Sequence, residues 1–328
     1  MRSFLLKIFL FTLFTIVFYC SSIILWGELL QNPSYKKNMH YYIGYYNAMS
    51  FRINEISDFK KVDILFLGSS HAYRSFDTRI FSDHGYTSFN FGSSAQTPIQ
   101  TEMLLEKYLD TLQPKLIIYE VYPFTFSLDG LESGLDLLAS DRIDLQTVKM
   151  VITLNQVKAY NTLIYAYYRQ IFNRNKKLKK VYTSGDNTYI HGGFVESKLK
   201  YFSGHGSITK DKLVFSHLQL EAFAKSLNLI KSRGIPFILV QSPVTKFKYQ
   251  SWINTKEIDS CFLSNGIMYN FNNLLNLNDS LAFYDADHLN QNGVKIFCDS
   301  LIRIIDRKGY VNKTKPDNRQ NRKPIIRF

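Results

Sequence analysis

Short apolar runs alternate with amphipathic segments along most of this chain of 328 residues, and this alternation constrains the fold more than any other feature. The run VDILFLG at 62–68 is almost continuously apolar, which is typical of a strand buried in a parallel sheet. The predicted strands are 62–68, 86–92, 115–123, 235–243 and a weaker pattern at 266–271, and the predicted helices are 97–113, 220–234 and 291–306. This order predicts an α/β fold with a central parallel sheet.

The interval from about 127 to 215 interrupts the alternation. It is too long for a simple connection, so we expect a mostly helical insertion or cap, of the kind that often lines a site in α/β enzymes. Its basic run RQIFNRNKKLKK at 169–180 is interpreted as a solvated face or as a contact with an anionic glycan or lipid headgroups. Its glycine-rich loop at 185–194 lacks the lysine of a phosphate-binding loop and is interpreted as cap structure or as a binding surface.

The N-terminus contains nineteen residues without a charge, from Ile8 to Trp26, preceded by Arg2 and Lys7. As a helix they span about 28 Å, which matches the core of a bilayer. We interpret the run as an uncleaved signal anchor, with a cleaved signal peptide or a soluble core helix as the alternatives. The flanking positive charges favour a cytoplasmic N-terminus and a body outside the cytoplasm, so a periplasmic or cell-surface location is expected.

We therefore expect four regions along the chain. Residues 1–27 form the signal anchor, 28–60 a polar, tyrosine-rich stalk, 61–306 the α/β domain with its insertion, and 307–328 a flexible basic tail.

The formal net charge of +13 indicates an anionic neighbour, which could be a nucleic acid, a phospholipid surface or an acidic glycan. Export argues against nucleic acid as a partner. Cys261 and Cys298 could pair in an oxidising compartment, although buried free thiols are the interpretation we favour, and Cys20 falls within the apolar run. No metal-binding motif is present, so neither a metal nor a cofactor is expected.

The residues that could perform chemistry lie at two distant places in the chain. Ser69, Ser70 and His71 follow the first predicted strand, and the carboxyl ends of parallel strands are where such sheets bind ligands. A serine hydroxyl needs a base to become nucleophilic, and His71 is too close in sequence to Ser70 to serve it. Asp285 and His288, three residues apart before the last predicted helix, suit a serine–histidine–acid triad, in which Asp285 orients the imidazole; Asp287 competes for that role.

These segments resemble the sequence blocks of the SGNH (GDSL-like) hydrolase superfamily. GSS at 68–70 resembles the family's first block, which implies Ser70 as the nucleophile, and DADH at 285–288 resembles its last block. FNFGSSAQT at 89–97 resembles the second block, which implies that the N–H of Gly92 joins that of Ser70 in binding the oxyanion. The resemblance implies a three-layer, flavodoxin-like fold and ester chemistry through an acyl-serine without a cofactor. It spans about residues 62–125 and 215–306.

Two departures from the family pattern change the expected function. The third block, G-x-N-D, is replaced by YEVYPF at 119–124, so one oxyanion donor is absent or comes from elsewhere, and Ser69 replaces the aspartate of the first block. Both departures, with the N-terminal anchor, are similar to an envelope branch that includes the alginate O-acetylation proteins and the D-alanine transfer protein of teichoic acid synthesis. This resemblance implies a membrane-anchored serine esterase or O-acetyltransferase acting on an exported polysaccharide beside a membrane-bound O-acyltransferase. The alternative is a non-catalytic accessory protein that binds glycan or that acyltransferase.

Three further residues are candidates for substrate binding. His71 is expected to line the site or to stabilise the turn. Arg74 is expected to form a structural ion pair or to contact a substrate carboxylate. Glu120, at the end of the third predicted strand, points either into the site or into a buried pair with a basic residue.

Overall fold

A computed structural model of the protein describes residues 1–29, 38–40, 48–174, 182–204 and 209–312. The chain forms two compact units: Met1–Asn47 with Gly134–Lys180, here called the helical unit, and Ala48–Ser133 with Val181–Phe328, here called the sheet unit. Parts of the predicted stalk (28–60), basic run (169–180) and basic tail (307–328) lie outside the described residues.

The described residues contain fourteen α-helices and eight strands. The helices are α1 (Arg2–Leu29), α2 (Ala48–Glu55), α3 (Ser70–Ser75), α4 (Thr78–Asp83), α5 (Pro98–Leu112), α6 (Leu131–Ser140), α7 (Leu145–Leu154), α8 (Val157–Ile171), α9 (His217–Ser232), α10 (Lys246–Tyr249), α11 (Thr255–Leu263), α12 (Phe271–Leu274), α13 (Asp279–Ala282) and α14 (Gln291–Lys308). The strands are β1 (Ile64–Leu67), β2 (Ser88–Asn90), β3 (Leu116–Glu120), β4 (Thr183–Ser184), β5 (Asn187–Tyr189), β6 (Val195–Ser197), β7 (Phe237–Gln241) and β8 (Met268–Asn270).

A five-stranded parallel sheet with the order β2-β1-β3-β7-β8 forms the centre of the sheet unit. This is the strand order of flavodoxin-like folds, in which the chain crosses from one side of the sheet to the other between β1 and β3. All residues of β1 and β3 are buried, which explains why both strands are read from the sequence as continuous apolar runs.

Helices cover both faces of this sheet and create three layers. On one face, α3, α4 and α14 pack with alternate residues of the three central strands, namely Ile64, Phe66, Leu116, Ile118, Ile238 and Val240. On the other face α5 packs against α9, and the ring of Tyr119 lies 5.3 Å from that of Phe223 on α9. The predicted three-layer α/β class with a central parallel sheet is therefore confirmed.

The interval predicted as a mostly helical insertion contains all of α6, α7 and α8. It also contains a small antiparallel sheet, β4-β5-β6, which the sequence did not predict. The glycine-rich loop at 185–194 belongs to this sheet and to the turn that follows β5.

Helix α1 is the one helix among the described residues that is long and apolar enough to cross a membrane, by length and composition. No part of its apolar window is buried inside the protein, which distinguishes it from the core helix of a soluble protein. The three cysteines are free; Cys298 is buried and Cys20 and Cys261 are partly exposed, so the predicted burial holds for Cys298 alone.

Candidate active site

The candidate site lies at the carboxyl end of β1, beside the end of β3. Gly68 follows β1 with a φ of +135°, and a Cβ at this position would lie 2.8 Å from both Cβ and the carbonyl oxygen of Glu120, so only glycine fits. Ser69 is the N-cap of α3: its hydroxyl accepts a hydrogen bond from the N–H of His71 at 3.3 Å. Ser70 is therefore the first residue of a short helix directly after a buried strand.

Ser70, His288 and Asp285 are brought together although 218 residues separate the serine from the histidine. Nε2 of His288 lies 2.9 Å from Oγ of Ser70. Nδ1 of the same ring lies 3.0 Å from each carboxylate oxygen of Asp285. The carboxylate fixes the ring orientation and holds the proton on Nδ1, which leaves Nε2 able to accept the proton of the serine hydroxyl.

The loop that carries Asp285 and His288 is shaped by its own hydrogen bonds. Phe283 and Leu289 form an isolated antiparallel bridge, and the N–H of Tyr284 donates to the carbonyl of His288 at 2.8 Å. Within the loop, Oδ1 of Asp285 accepts the N–H groups of Asp287 at 2.8 Å and of His288 at 2.7 Å. Partial burial raises the pKa of Asp285, but the hydrogen bond and charge of His288 and these backbone donors outweigh it and lower the pKa to about 2. Asp285 is consequently ionised at neutral pH.

Gly92 packs tightly against the turn that presents Ser70. A Cβ on Gly92 would lie 2.8 Å from Cβ of Ala72 and 2.9 Å from the carbonyl oxygen of Ser69, so this close approach also requires glycine. The N–H of Gly92, expected to bind an oxyanion, donates instead to Oδ1 of Asn90 at 3.2 Å. The N–H of Ser70 donates no hydrogen bond to another described residue and remains available.

Glu120 lies beneath this turn and is fully buried, with no basic side chain recorded as its ion-pair partner among the described residues. Its Oε2 accepts a hydrogen bond from the hydroxyl of Ser69 at 3.4 Å. Burial raises the pKa of Glu120 to about 8, although backbone groups of Ser242 and Tyr122 and contacts with Ser69 oppose the rise. Of the two predicted orientations, the pairing with a basic residue is not observed, and the carboxyl group supports the turn from below.

His71 is buried and stacks on Tyr122 with 3.6 Å between the ring centroids. Its ring centroid also lies 4.9 Å from that of His288, and neither ring nitrogen makes a well-aligned hydrogen bond to another described residue. Burial, followed by the proximity of His288, lowers the pKa of His71 well below its usual range. His71 is therefore neutral and packs against the site.

Tyr122 and Lys248 lie beside the site and were not among the predicted site residues. The hydroxyl of Tyr122 donates to Oδ1 of Asp287 at 3.1 Å, and Nζ of Lys248 lies 3.8 Å from the same oxygen. Asp287, the predicted competitor of Asp285, thus points towards Tyr122 and Lys248 while Asp285 contacts His288. The ring centroid of Trp252 lies 5.8 Å from that of Tyr122, so a second aromatic side chain stands beside the site.

Arg74 does not line the triad. Its guanidinium donates to Oδ1 of Asn187 at 3.2 Å and to the hydroxyl of Ser197, and so connects α3 to strands β5 and β6. Its partners are an amide and a hydroxyl group, so Arg74 has a structural role, but the expected ion pair is not observed among the described residues.

Two buried asparagines position the site and were missed in the sequence. Asn90 donates to the carbonyls of Ala72 and Phe76 at 2.9 and 3.0 Å and so attaches β2 to α3. Asn290 caps α14 and donates to the carbonyl of Phe283, at the base of the histidine loop. An asparagine directly before a predicted helix is a capping signal that points to Asn290, whereas nothing local distinguishes Asn90.

In the parts of the chain that the structure describes, no three His, Cys, Asp or Glu side chains are grouped in a way that could hold a metal ion.

No protein-family model matches the chain, and no curated protein is similar enough to be matched. Among solved structures, a candidate acylhydrolase from Bacteroides fragilis is similar at 10% identity and a TM-score of 0.40, over 78% of this chain and 94% of that one. A GDSL-like lipase from Bacteroides thetaiotaomicron is similar at 11% identity and a TM-score of 0.37, over 75% and 88% of the two chains. A lipase/acylhydrolase from Enterococcus faecalis is similar at 12% identity and a TM-score of 0.35, over 78% and 100%. Similarities of this size do not assign an activity to this chain.

Proposed function

We propose that this protein is a membrane-anchored serine esterase or O-acyltransferase of the SGNH type, whose nucleophile is Ser70. The observation that supports the proposal is the continuous contact from Ser70 through His288 to the ionised Asp285. A serine, an imidazole and a carboxylate in this order suit the transfer of an acyl group through a covalent intermediate.

In the proposed reaction, Oγ of Ser70 attacks the carbonyl carbon of an ester while its proton moves to Nε2 of His288. The carbonyl oxygen becomes an oxyanion, and the N–H of Ser70 is positioned to stabilise it. Collapse of the tetrahedral intermediate breaks the ester bond, and His288 returns the proton to the departing alcohol. Water then resolves the acyl-serine in hydrolysis, or a sugar hydroxyl resolves it in transfer. The N–H of Gly92 acts as a second donor only if it leaves the side chain of Asn90 and donates to the oxyanion instead.

The proposed substrate is an acylated, in particular acetylated, polysaccharide of the cell envelope or one that is exported. Support comes from the candidate membrane helix α1, with Arg2 and Lys7 at its N-terminal end, and from the net charge of +13. The resemblance to the envelope branch adds a membrane-bound O-acyltransferase as the proposed protein partner. The sheet unit is proposed to lie outside the cytoplasm.

A second candidate function is an accessory protein that keeps the fold and binds glycan or the acyltransferase without turnover. The observation that favours it concerns the oxyanion region: the N–H of Gly92 donates to Asn90, and the segment directly after β3, VYPF at 121–124, contains no asparagine. Loss of one oxyanion donor can raise a barrier by about 3 kcal/mol, which weakens catalysis without abolishing it.

The acyl-enzyme itself separates the two functions. The full-length protein in mild detergent is mixed with an activated acetyl ester, and the Ser70 peptide is examined by mass spectrometry for an added acetyl group. We expect acetylation of Ser70 and turnover, and we expect Ser70→Ala to lower turnover by about a thousandfold or more. Ser94→Ala is the matched control, because Ser94 follows Gly92 as Ser70 follows Gly68 and its hydroxyl contacts Glu132. Absence of acetylated Ser70, together with equal rates for Ser70→Ala and the unmodified protein, would favour the accessory function.

A further inference from the structure

The helical unit exposes an apolar surface that the proposed ester chemistry does not use. Helices α7 and α8 form a hairpin whose two members pack against each other. The large hydrophobic side chains exposed on this hairpin and just after it are Leu145, Ile152, Val157, Tyr167, Ile171 and Phe172. The sequences of α7 and α8 contain no acidic residue, and their charged residues outside the contact with α1 are Lys149 and Lys158, because Arg169 is buried beside Glu28. An apolar face with a purely basic charge is characteristic of helices that lie in an anionic lipid interface.

The hairpin is attached to the candidate membrane helix by specific polar contacts. The hydroxyl of Tyr19 on α1 donates to Oδ1 of Asn161 on α8 at 2.5 Å. The hydroxyl of Tyr165 donates to the carbonyl of Gly27 at 3.1 Å, and its ring occupies the space where a Cβ of Gly27 would lie. These contacts occur in the same order along both helices, so α8 runs in the same direction as the last turns of α1.

This pairing sets the depth of the hairpin relative to α1. Val157 precedes Tyr165 by eight residues, so the start of α8 lies about 12 Å from the level of Gly27 in the direction of the N-terminus of α1. If the uncharged run that ends at Trp26 fills a hydrocarbon core of about 30 Å, the junction of α7 and α8 lies at the depth of the outer acyl chains.

The outer end of α8 carries aromatic and charged residues. The apolar Val157 stands at its start, exposed Tyr167 stands near its end, and Arg174 follows the helix and pairs with Glu28 at 2.7 Å. Aromatic and charged residues at this end are typical of a membrane–water interface, and the apolar Ile171 and Phe172 are exposed beside them.

We propose that the α7–α8 hairpin is embedded in the outer leaflet of the membrane beside α1, with its exposed apolar face against the acyl chains of phospholipids. The inference rests on the proposed membrane anchor and adds a second, non-spanning membrane contact. The occupant of the face is lipid, because α8 packs against a candidate membrane span and the charged residues of the hairpin outside that contact, Lys149 and Lys158, are basic.

Quenching of tryptophan fluorescence by lipids with brominated acyl chains tests this placement, because bromine quenches on contact. The full-length chain has two tryptophans, Trp26 and Trp252. With both replaced by phenylalanine, Ile152→Trp places a single probe on the hairpin, and Ile253→Trp is the matched control in the sheet unit. The two isoleucines are exposed to 59% and 61%. A third variant, Trp252→Phe alone, retains Trp26 as the reference for the anchor.

Each protein is reconstituted in phosphatidylcholine vesicles with and without brominated chains, and its fold is checked by circular dichroism. We expect Ile152→Trp to lose most of its emission in brominated vesicles, comparable to the loss at Trp26, while Ile253→Trp keeps its emission. Leu145→Trp provides a second hairpin probe should Ile152→Trp fold poorly. Quenching at Trp26 without quenching at either hairpin probe would overturn the inference and leave the anchor intact. Absence of quenching at Trp26 would overturn the anchor and the inference together.

Discussion

Glu120 shows how one buried carboxyl group supports the turn that presents Ser70 and makes its stability depend on pH. Its pKa rises from the ordinary 4.5 to about 8 because burial disfavours the charged form. Because the pKa of Glu120 is raised in the folded state, its contribution to the free energy of unfolding is complete below about pH 4.5 and is lost as the pH rises through about 8. The protein is therefore expected to lose stability over this range, because the carboxyl group of Glu120 releases its proton in the unfolded chain while the buried group retains it.

Glu120→Gln should remove this loss, because the amide retains a polar contact with Ser69 and cannot ionise. Urea unfolding of the full-length protein in detergent, at about pH 5 and about pH 9, measures the effect. We expect the variant to exceed the unmodified protein in stability at the higher pH by roughly a few kcal/mol, since one pKa unit corresponds to about 1.4 kcal/mol. Glu257→Gln makes the same change at an exposed carboxylate, with Lys212 3.9 Å away, and serves as the control. If the free energy of unfolding changed with pH equally in Glu120→Gln and in the unmodified protein, the raised pKa could not be assigned to Glu120.

Gly92→Ala tests the close packing beneath Ser70. The added Cβ would meet the carbonyl oxygens of Ser69 at 2.9 Å and Gly68 at 3.1 Å, and backbone atoms of a buried turn cannot move aside cheaply. We expect a loss of about 1–3 kcal/mol in the free energy of unfolding and a fall in ester turnover, because the turn must shift with Ser70 on it. Unfolding and turnover are measured on the same preparation. A variant as stable and active as the unmodified protein would show that the turn is not packed as described.

The arrangement of Ser70, His288 and Asp285 could be predicted because each part has a local cause. A buried strand delivers the residue after it to the sheet edge, and a spacing of three lets Asp285 contact both the backbone and the ring of His288. The partner of the Gly92 N–H could not be predicted in this way. It depends on the side-chain orientation of Asn90, which is set by the carbonyls of a different element.

At the level of elements, the five parallel strands and three of their covering helices, α5, α9 and α14, were predictable because each gives an apolar run or an amphipathic segment. The strand predicted at 115–123 is observed as Leu116–Glu120, and the helix predicted at 97–113 as Pro98–Leu112. Strands β4, β5 and β6 have at most three residues each and are mainly polar, so no period emerges from them. Helix α3 escaped prediction because its six residues follow a serine-rich segment that also suits a turn.

Arg74→Ala examines how this small antiparallel sheet is held. Loss of the hydrogen bonds to Asn187 and Ser197 should weaken the attachment of β5 and β6 to α3 by about 1–3 kcal/mol, since the donor is charged. We expect faster limited proteolysis within residues 182–204 and a nearly unchanged rate on a small neutral ester. An unchanged cleavage pattern combined with a raised KM for an anionic ester alone would instead assign Arg74 to a substrate carboxylate.

At the level of the whole molecule, the net charge of +13 follows directly from the composition, and the fold determines where the charged residues lie. Eight of the basic residues and one acidic residue lie in the segment from Arg307 to the end, of which only the first residues are described. The sequence shows which segments are basic but not what they bind, because glycans, lipid headgroups and solvent are all compatible with a basic surface.

The ionic-strength dependence of the reaction separates these partners. If the basic surface attracts an anionic polysaccharide, the apparent kcat/KM on an acetylated anionic polymer should fall as salt is added, since mobile ions screen exposed charges beyond about 10 Å at moderate salt. The rate on a small neutral acetyl ester should stay almost constant, because this substrate depends on Ser70, His288 and Asp285 and not on long-range attraction. Both rates are measured with one preparation of the full-length protein in a non-ionic detergent, over the same salt series. An acetylated neutral polymer of similar length is the control for effects of size. Equal salt dependence on the anionic and neutral polymers would rule out attraction of an anionic glycan and leave lipid headgroups as the partner of the basic charge.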